Sequence, residues 1–188
     1  MTALAELSGT YRIDPAHSEL AFVTRHAMVT KVRGTFSDFE GAATTGPGLQ
    51  DAAIDVTIQV ASVDTRSADR DEHLRGDDFF VTSHYPTMRF RSTSVTARGD
   101  STLRVAGNLT IKAVTRPLTI DFSYQGSAVD PFGNERHGFE GAVRVNRKDF
   151  GLTWNAALEA GGVLVSERVT LEFSISAVKE SVGSDSGG

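Results

Sequence analysis

"VTLEFSISA", residues 169–177, places Val169, Leu171, Phe173 and Ile175 on one side of an extended chain and Thr170, Glu172, Ser174 and Ser176 on the other. Side chains along a strand alternate between its two faces, so a period of two with one apolar face reads as antiparallel strand with one wet side. The same alternation recurs upstream. "AIDVTIQV" (53–60) sets Ile54, Val56, Ile58 and Val60 against Asp55, Thr57 and Gln59, and "LTIDFSY" (118–124) repeats it with Leu118, Ile120, Phe122 and Tyr124. Further strands are expected over 11–13, 19–25, 34–44, 88–97, 102–112 and 138–146. "TTGPG", "ARGDS", "VDPFGNER" and "EAGG" separate them with the Gly, Pro, Asn and Asp that tight turns require. Many strands, short turns and almost no helix favour an all-β, up-and-down antiparallel barrel over a sandwich.

One stretch breaks the pattern. "SADRDEHLRGDDFF" (67–80) carries five acids, two arginines and a histidine within twelve residues and then turns aromatic. Ser67 or Asp69 can cap a helix start, the acidic first turn suits the helix dipole, and Gly76 can end it. Asp71 and Arg75, four apart, can pair on its surface. A short helix over about 67–76 is therefore expected. Leu74 is nearly its only apolar contact, so it cannot build a core. It is expected across one barrel end, with Phe79 and Phe80 beneath it.

The 188 residues suit one domain, and the 39% hydrophobic content is that of a folded chain. The expected division is an N-terminal lead-in over 1–8, a barrel over 9–179, and a polar Gly/Ser-rich tail over 180–188 that is disordered. A net charge of −5 with no basic block argues against nucleic acid. The absence of cysteine excludes disulfides and thiolate chemistry. No run approaches the ~20 apolar residues of a membrane span, and no basic-then-apolar leader opens the chain, so a cytoplasmic location is expected.

Six stretches carry a resemblance: "YRIDPAHSELAF", "RHAMVTKVRGTFSDFEG", "SVDTRSADRDEHLRGDDFF", "YPTMRFRS", "GNLTIKAVTRPL" and "VNRKDFGLTW". In this order, from about residue 9 to 179, they resemble the YceI-like family. The resemblance implies an extended lipocalin-like barrel with a small helix at its end. It also implies an apolar interior that binds isoprenoid chains such as polyisoprenoids and quinone precursors. Many family members are exported, and this sequence departs from those in showing no signal. The family leaves a homodimer plausible.

The residues agree with a lipophilic interior. Ile58, Phe90, Leu109, Ile120, Phe122, Phe139, Val143, Leu171 and Phe173 occupy the apolar phase of their strands and are expected to converge on one cavity. At ~0.8 kcal/mol per buried carbon, each five-carbon prenyl unit contributes roughly 2–4 kcal/mol before ordering losses. Trp154 either lines that cavity or anchors the "NRKDFGLTW" bulge with Phe150. Arg70 and His73, one helical turn apart, are candidates for the mouth together with Phe79, Phe80 and His26; a solvated ion-pair surface is the competing reading. The glycines at 34, 41, 107 and 141 lie inside strands, where they permit sharp curvature or close approach of a ligand.

Other chemistry finds less support. His17, His26 and Ser18 lack a nucleophile elbow of the GxSxG kind, so no catalytic residue is assigned. The five histidines show no HxH or HExxH spacing, and Asp69 with His73 makes only two ligands, so no metal or cofactor is expected. "RGD" (98–100) falls at a hairpin turn and "NLT" (108–110) within a strand, where both read as coincidence. The expected function is non-catalytic binding, as carrier or store, of an isoprenoid-type small molecule. The alternatives are an enzyme acting on such a lipid through His17, His26 or His73, and a packed-barrel stress or interaction module.

Overall fold

The computed structural model of the chain describes residues 3–158 and 164–182. Its strands are β1 (Gly9–Ile13), β2 (Glu19–His26), β3 (Thr30–Phe36), β4 (Phe39–Thr45), β5 (Ala53–Gln59), β6 (Val63–Asp64), β7 (Thr87–Arg98), β8 (Thr102–Ile111), β9 (Val114–Val129), β10 (Glu135–Asn146) and β11 (Arg168–Lys179). One α-helix, α1 (Ala68–Arg75), follows β6. The "EAGG" turn and the end of the tail, 183–188, lie outside the described residues.

The order β1-β4-β5-β7-β8-β9-β10-β11 returns to β1, so eight strands close into the antiparallel barrel that the alternation predicts. The remaining strands prolong three staves: β2 continues β1 along the edge of β11, β3 leads into β4, and β6 follows β5. Every stave therefore pairs with the one next to it in sequence, and only β1 and β2 with β11 join the two ends. Asp14 makes the joint between β1 and β2. Its carboxylate accepts from the Ala16 backbone N–H and caps the one-turn helix Pro15–His17.

Two strands depart from the expected bounds. The strand expected over 34–44 is two, because at Asp38 the backbone turns to bond the neighbouring link: Asp38 N–H donates to Ser62 Oγ and its carbonyl accepts from Gln59. Strand β9 begins before residue 118 and contains Pro117. A central strand rejects proline, which has no N–H to give the ladder. Here β10 pairs with β9 only from Phe122 to Val129, so the earlier half of β9 pairs with β8 alone. The one-turn helix Arg147–Phe150 packs against that open edge, and Lys112 Nζ donates to the Gly151 carbonyl.

Both barrel ends are plugged with apolar side chains. At one, Val60, Val63, Phe79, Phe80, Phe150 and Leu152 are buried together, and Leu74 packs on them. At the other, Leu4, Leu7, Tyr11, Val95 and Leu103 do the same. Leu4–Glu6 forms one helical turn that sets Leu4 and Leu7 into the barrel floor.

Helix α1 is capped by Ser67 Oγ, which accepts from the Arg70 N–H, and stops at Gly76. The expected pair of Asp71 with Arg75 does not form. Asp71 is buried and accepts from the Thr65 N–H (2.8 Å) and hydroxyl (2.6 Å), while Arg75 donates to the carbonyls of Ala61 and Val63.

Candidate functional site

Between the two plugs lies a cavity of about 300 Å³, lined from every barrel stave. That volume falls at the lower end of small-molecule pockets, ~300–1,000 Å³. The wall presents essentially no polar atom to the lumen. Ile58, Phe90, Leu109, Ile120, Phe122, Phe139, Leu171 and Phe173 all line it, as do Phe79 and Phe80 from the segment after α1. Val143 does not, although it shares the inward phase of Phe139.

The in-strand glycines explain why large inward rings leave a lumen at all. Phe22 pairs across the ladder with Gly34, and a Cβ on that glycine would meet the phenyl ring at 2.2 Å. A Cβ on Gly107 would meet the Phe90 ring at 2.5 Å, and one on Gly141 the Phe122 ring at 2.9 Å. At Gly41 the occupant is the Ile13 side chain, also at 2.5 Å. Each glycine is therefore a notch in the wall, filled by a side chain of an adjacent stave. The close approach expected at these positions is made by the protein's own side chains.

The polar candidates for the mouth lie elsewhere. Arg70 donates to the Thr65 hydroxyl (2.8 Å) and carbonyl (2.6 Å), holding the start of α1. His73 bonds Asp78 at 2.8 Å and stands edge-on to Trp154 and Phe79. His26 is exposed at the tip of the β2–β3 hairpin. None of the three lines the cavity. Trp154 is not in its wall either; it packs against the plug from the far side of Phe79. His17 is exposed and bonds Asp14. Among the described residues no three His, Asp or Glu side chains gather as metal ligands.

Among the polar side chains that reach the wall, sequence reasoning passed over His137, Arg147 and Thr24. His137, 1% exposed, lies near the floor with Tyr11 edge-on and Tyr124 stacked. Its Nε2 bonds the Glu135 carboxylate at 2.9 Å and its Nδ1 the Tyr124 hydroxyl at 2.8 Å. A carboxylate only accepts, so Nε2 carries the proton. Burial raises the phenol pKa of both tyrosines. Arg147, 5% exposed, stands at the α1 end and donates to the carbonyls of Leu152, Trp154, Val165 and Ser166. Burial pushes its pKa down, against a smaller opposing pull from the Glu167 carboxylate. Thr24 also lines the cavity; its hydroxyl is buried and has no hydrogen-bond partner.

His137 and Arg147 spend their polar groups on the protein itself, and the Thr24 hydroxyl is left unpaired in an otherwise apolar wall. Among the described residues no helix is long and apolar enough to cross a membrane.

Comparison with known proteins agrees with the architecture. A UPF0312 protein of Pseudomonas aeruginosa is 41% identical over 154 residues, 80% of each chain. The crystal structure of Burkholderia cenocepacia BcnA superposes with a TM-score of 0.75 at 22% identity, covering 87% of this chain and 98% of that one. A polyisoprenoid binding domain from Saccharophagus degradans, implicated in plant cell wall breakdown, superposes with a TM-score of 0.70 at 17% identity over 90% and 98% of the two chains. The profile described as the YceI-like domain matches residues 11–177, and on that match and the 41% relative the chain belongs to the YceI-like family.

Proposed function

We propose that this protein binds an isoprenoid-type lipid in its barrel, as carrier or store, and carries out no chemistry on it. The observation that carries the reading is the cavity: about 300 Å³, lying between two apolar plugs, with a wall that is almost wholly apolar. A hydrocarbon chain loses nothing on entering such a space, whereas a polar group there goes unpaired. The Saccharophagus degradans domain, which binds polyisoprenoid, has the same fold, and this supports the choice of ligand. Catalysis has less in its favour, since the histidine that reaches the cavity wall among the described residues is bonded on both ring nitrogens.

The test is extraction. Purified protein is extracted with organic solvent, the extract is analysed by mass spectrometry, and the emptied protein is titrated with prenyl alcohols. A prenyl lipid in the extract and saturable binding are expected. In Ile120→Trp the indole should occupy the space of the chain, so that the variant stays folded, extracts empty and binds no prenyl alcohol. An empty wild-type protein that binds no prenyl alcohol, with a strongly destabilised Ile120→Trp, would show a packed core and end the proposal.

A further inference from the structure

Large aromatic side chains pointing into a barrel of eight staves ordinarily fill it. Here three of them, Phe22, Phe90 and Phe122, point inward and the lumen stays open, because each lies in the notch of a glycine on an adjacent strand. We infer that these three glycine–phenylalanine notches set the bore of the cavity and make it selective for methyl-branched chains over straight ones; this rests on the lipid-binding reading above.

The argument is one of volume. Ring atoms that lie over a glycine occupy space that a neighbouring Cβ would otherwise hold. They are withdrawn from the lumen by the depth of a side chain. The notches lie on three different pairs of staves, β2 with β3, β7 with β8 and β9 with β10, so the wall is set back in several directions. A straight methylene chain is narrow and needs no such width. A chain with a methyl group on every fourth carbon does, and its methyls gain contacts against the recessed rings. A wall that shows the lumen almost no polar surface discriminates between two hydrocarbon chains chiefly by width.

Gly34 isolates the effect. The atoms closest to a Cβ added there all belong to the Phe22 ring, whereas at Gly107 the Arg91 carbonyl also intrudes. Gly34→Ala therefore displaces the ring and leaves the backbone in place, and Phe22 borders the lumen into which it must move.

The experiment measures the affinity of dodecanol and of its trimethyl derivative, saturated farnesol, which share one main chain and differ only in methyl branches. Wild type is expected to prefer the branched alcohol by about tenfold, the scale on which a pocket resolves single methyl groups. Gly34→Ala is expected to lose that preference, weakening the branched alcohol by about tenfold and the straight one by less than about threefold. Gly34→Ala with Phe22→Leu, which restores the total volume, should recover it. Should Gly34→Ala fail to fold, Phe22→Trp places the same excess volume at the same point with the glycine intact and is expected to show the same selective loss. Equal binding of both alcohols by wild type, or an unchanged preference in whichever of these variants folds, overturns the notch inference and leaves lipid binding standing. Binding of neither alcohol overturns both.

Discussion

Arg147 gathers four carbonyl oxygens, of Leu152, Trp154, Val165 and Ser166, onto one guanidinium buried at the α1 end of the barrel. These carbonyls belong to two stretches that are separate in sequence, so the side chain fastens the crossing between β10 and β11. An ammonium has three donors on one atom and cannot span that arc. Arg147→Lys is expected to leave buried carbonyls unpaired and to cost about 2–4 kcal/mol. Urea unfolding measures it, and an unchanged midpoint would show that the clamp contributes nothing. The phase that places this residue was already readable. Counting by two from Phe139 and Val145, both apolar and inward, reaches His137 and Arg147. Their polarity steered attention away, because a polar side chain in an inward phase reads as a strand end. Arg70 and His73 drew attention for the opposite reason: their polar side chains stand out in the sequence, yet they are spent on Thr65 and Asp78.

Among the elements, α1 shows how a helix with almost no apolar face is held. Its fixed point is Asp71, whose carboxylate takes two hydrogen bonds from Thr65 in a buried setting. Asp71→Ala should leave the Thr65 N–H and hydroxyl unsatisfied and cost about 1–3 kcal/mol, with faster hydrogen exchange across 65–76. Equal exchange in variant and wild type would mean that Phe79 and Phe80 alone keep the helix in place. The helix, its cap and its end were legible, since each is a local matter of residue type. The break between β3 and β4 was not, because it answers to Gln59 and Ser62 on a distant segment. The start of β9 was not legible for the same reason, since Pro117 lies within it. The proline marks a strand edge, and nothing in the sequence says that β10 stops pairing with β9 beside it.

At the scale of the whole molecule, closure is what makes eight half-buried strands a container. Arg136 stands where the circle meets: it donates to Asp14 at the β1–β2 joint (2.7 Å), to Asp130 in the β9–β10 turn (2.8 Å) and to Ser176 on β11 (3.2 Å). The guanidinium holds both carboxylates below the usual range, Asp130 far below it. A carboxylate whose pKa is depressed by folding adds stability that is complete above its unfolded value, near pH 4, and is lost as pH falls toward the depressed one. The urea midpoint of wild type is thus expected to fall as pH drops below about 4. That of Asp130→Asn should start lower at neutral pH and converge on wild type in acid. Parallel curves would show that the cluster does not stabilise the fold. The alternation in the strands announced a barrel, but it gave no sign of whether the lumen would be full, because that depends on which glycine faces which ring across the ladder. The same closed meander also sets the kinetics of assembly. Ladders between successive staves join near neighbours and form as hairpins, whereas the ladder of β1 and β2 with β11 must bring together the two extremes of the fold. Loop entropy grows only with the logarithm of length, by about 0.6 kcal/mol per doubling, so that encounter is slow without being prohibitive. Refolding therefore waits on a single meeting of ends, and until it happens the chain is an open curl with two unpaired edges.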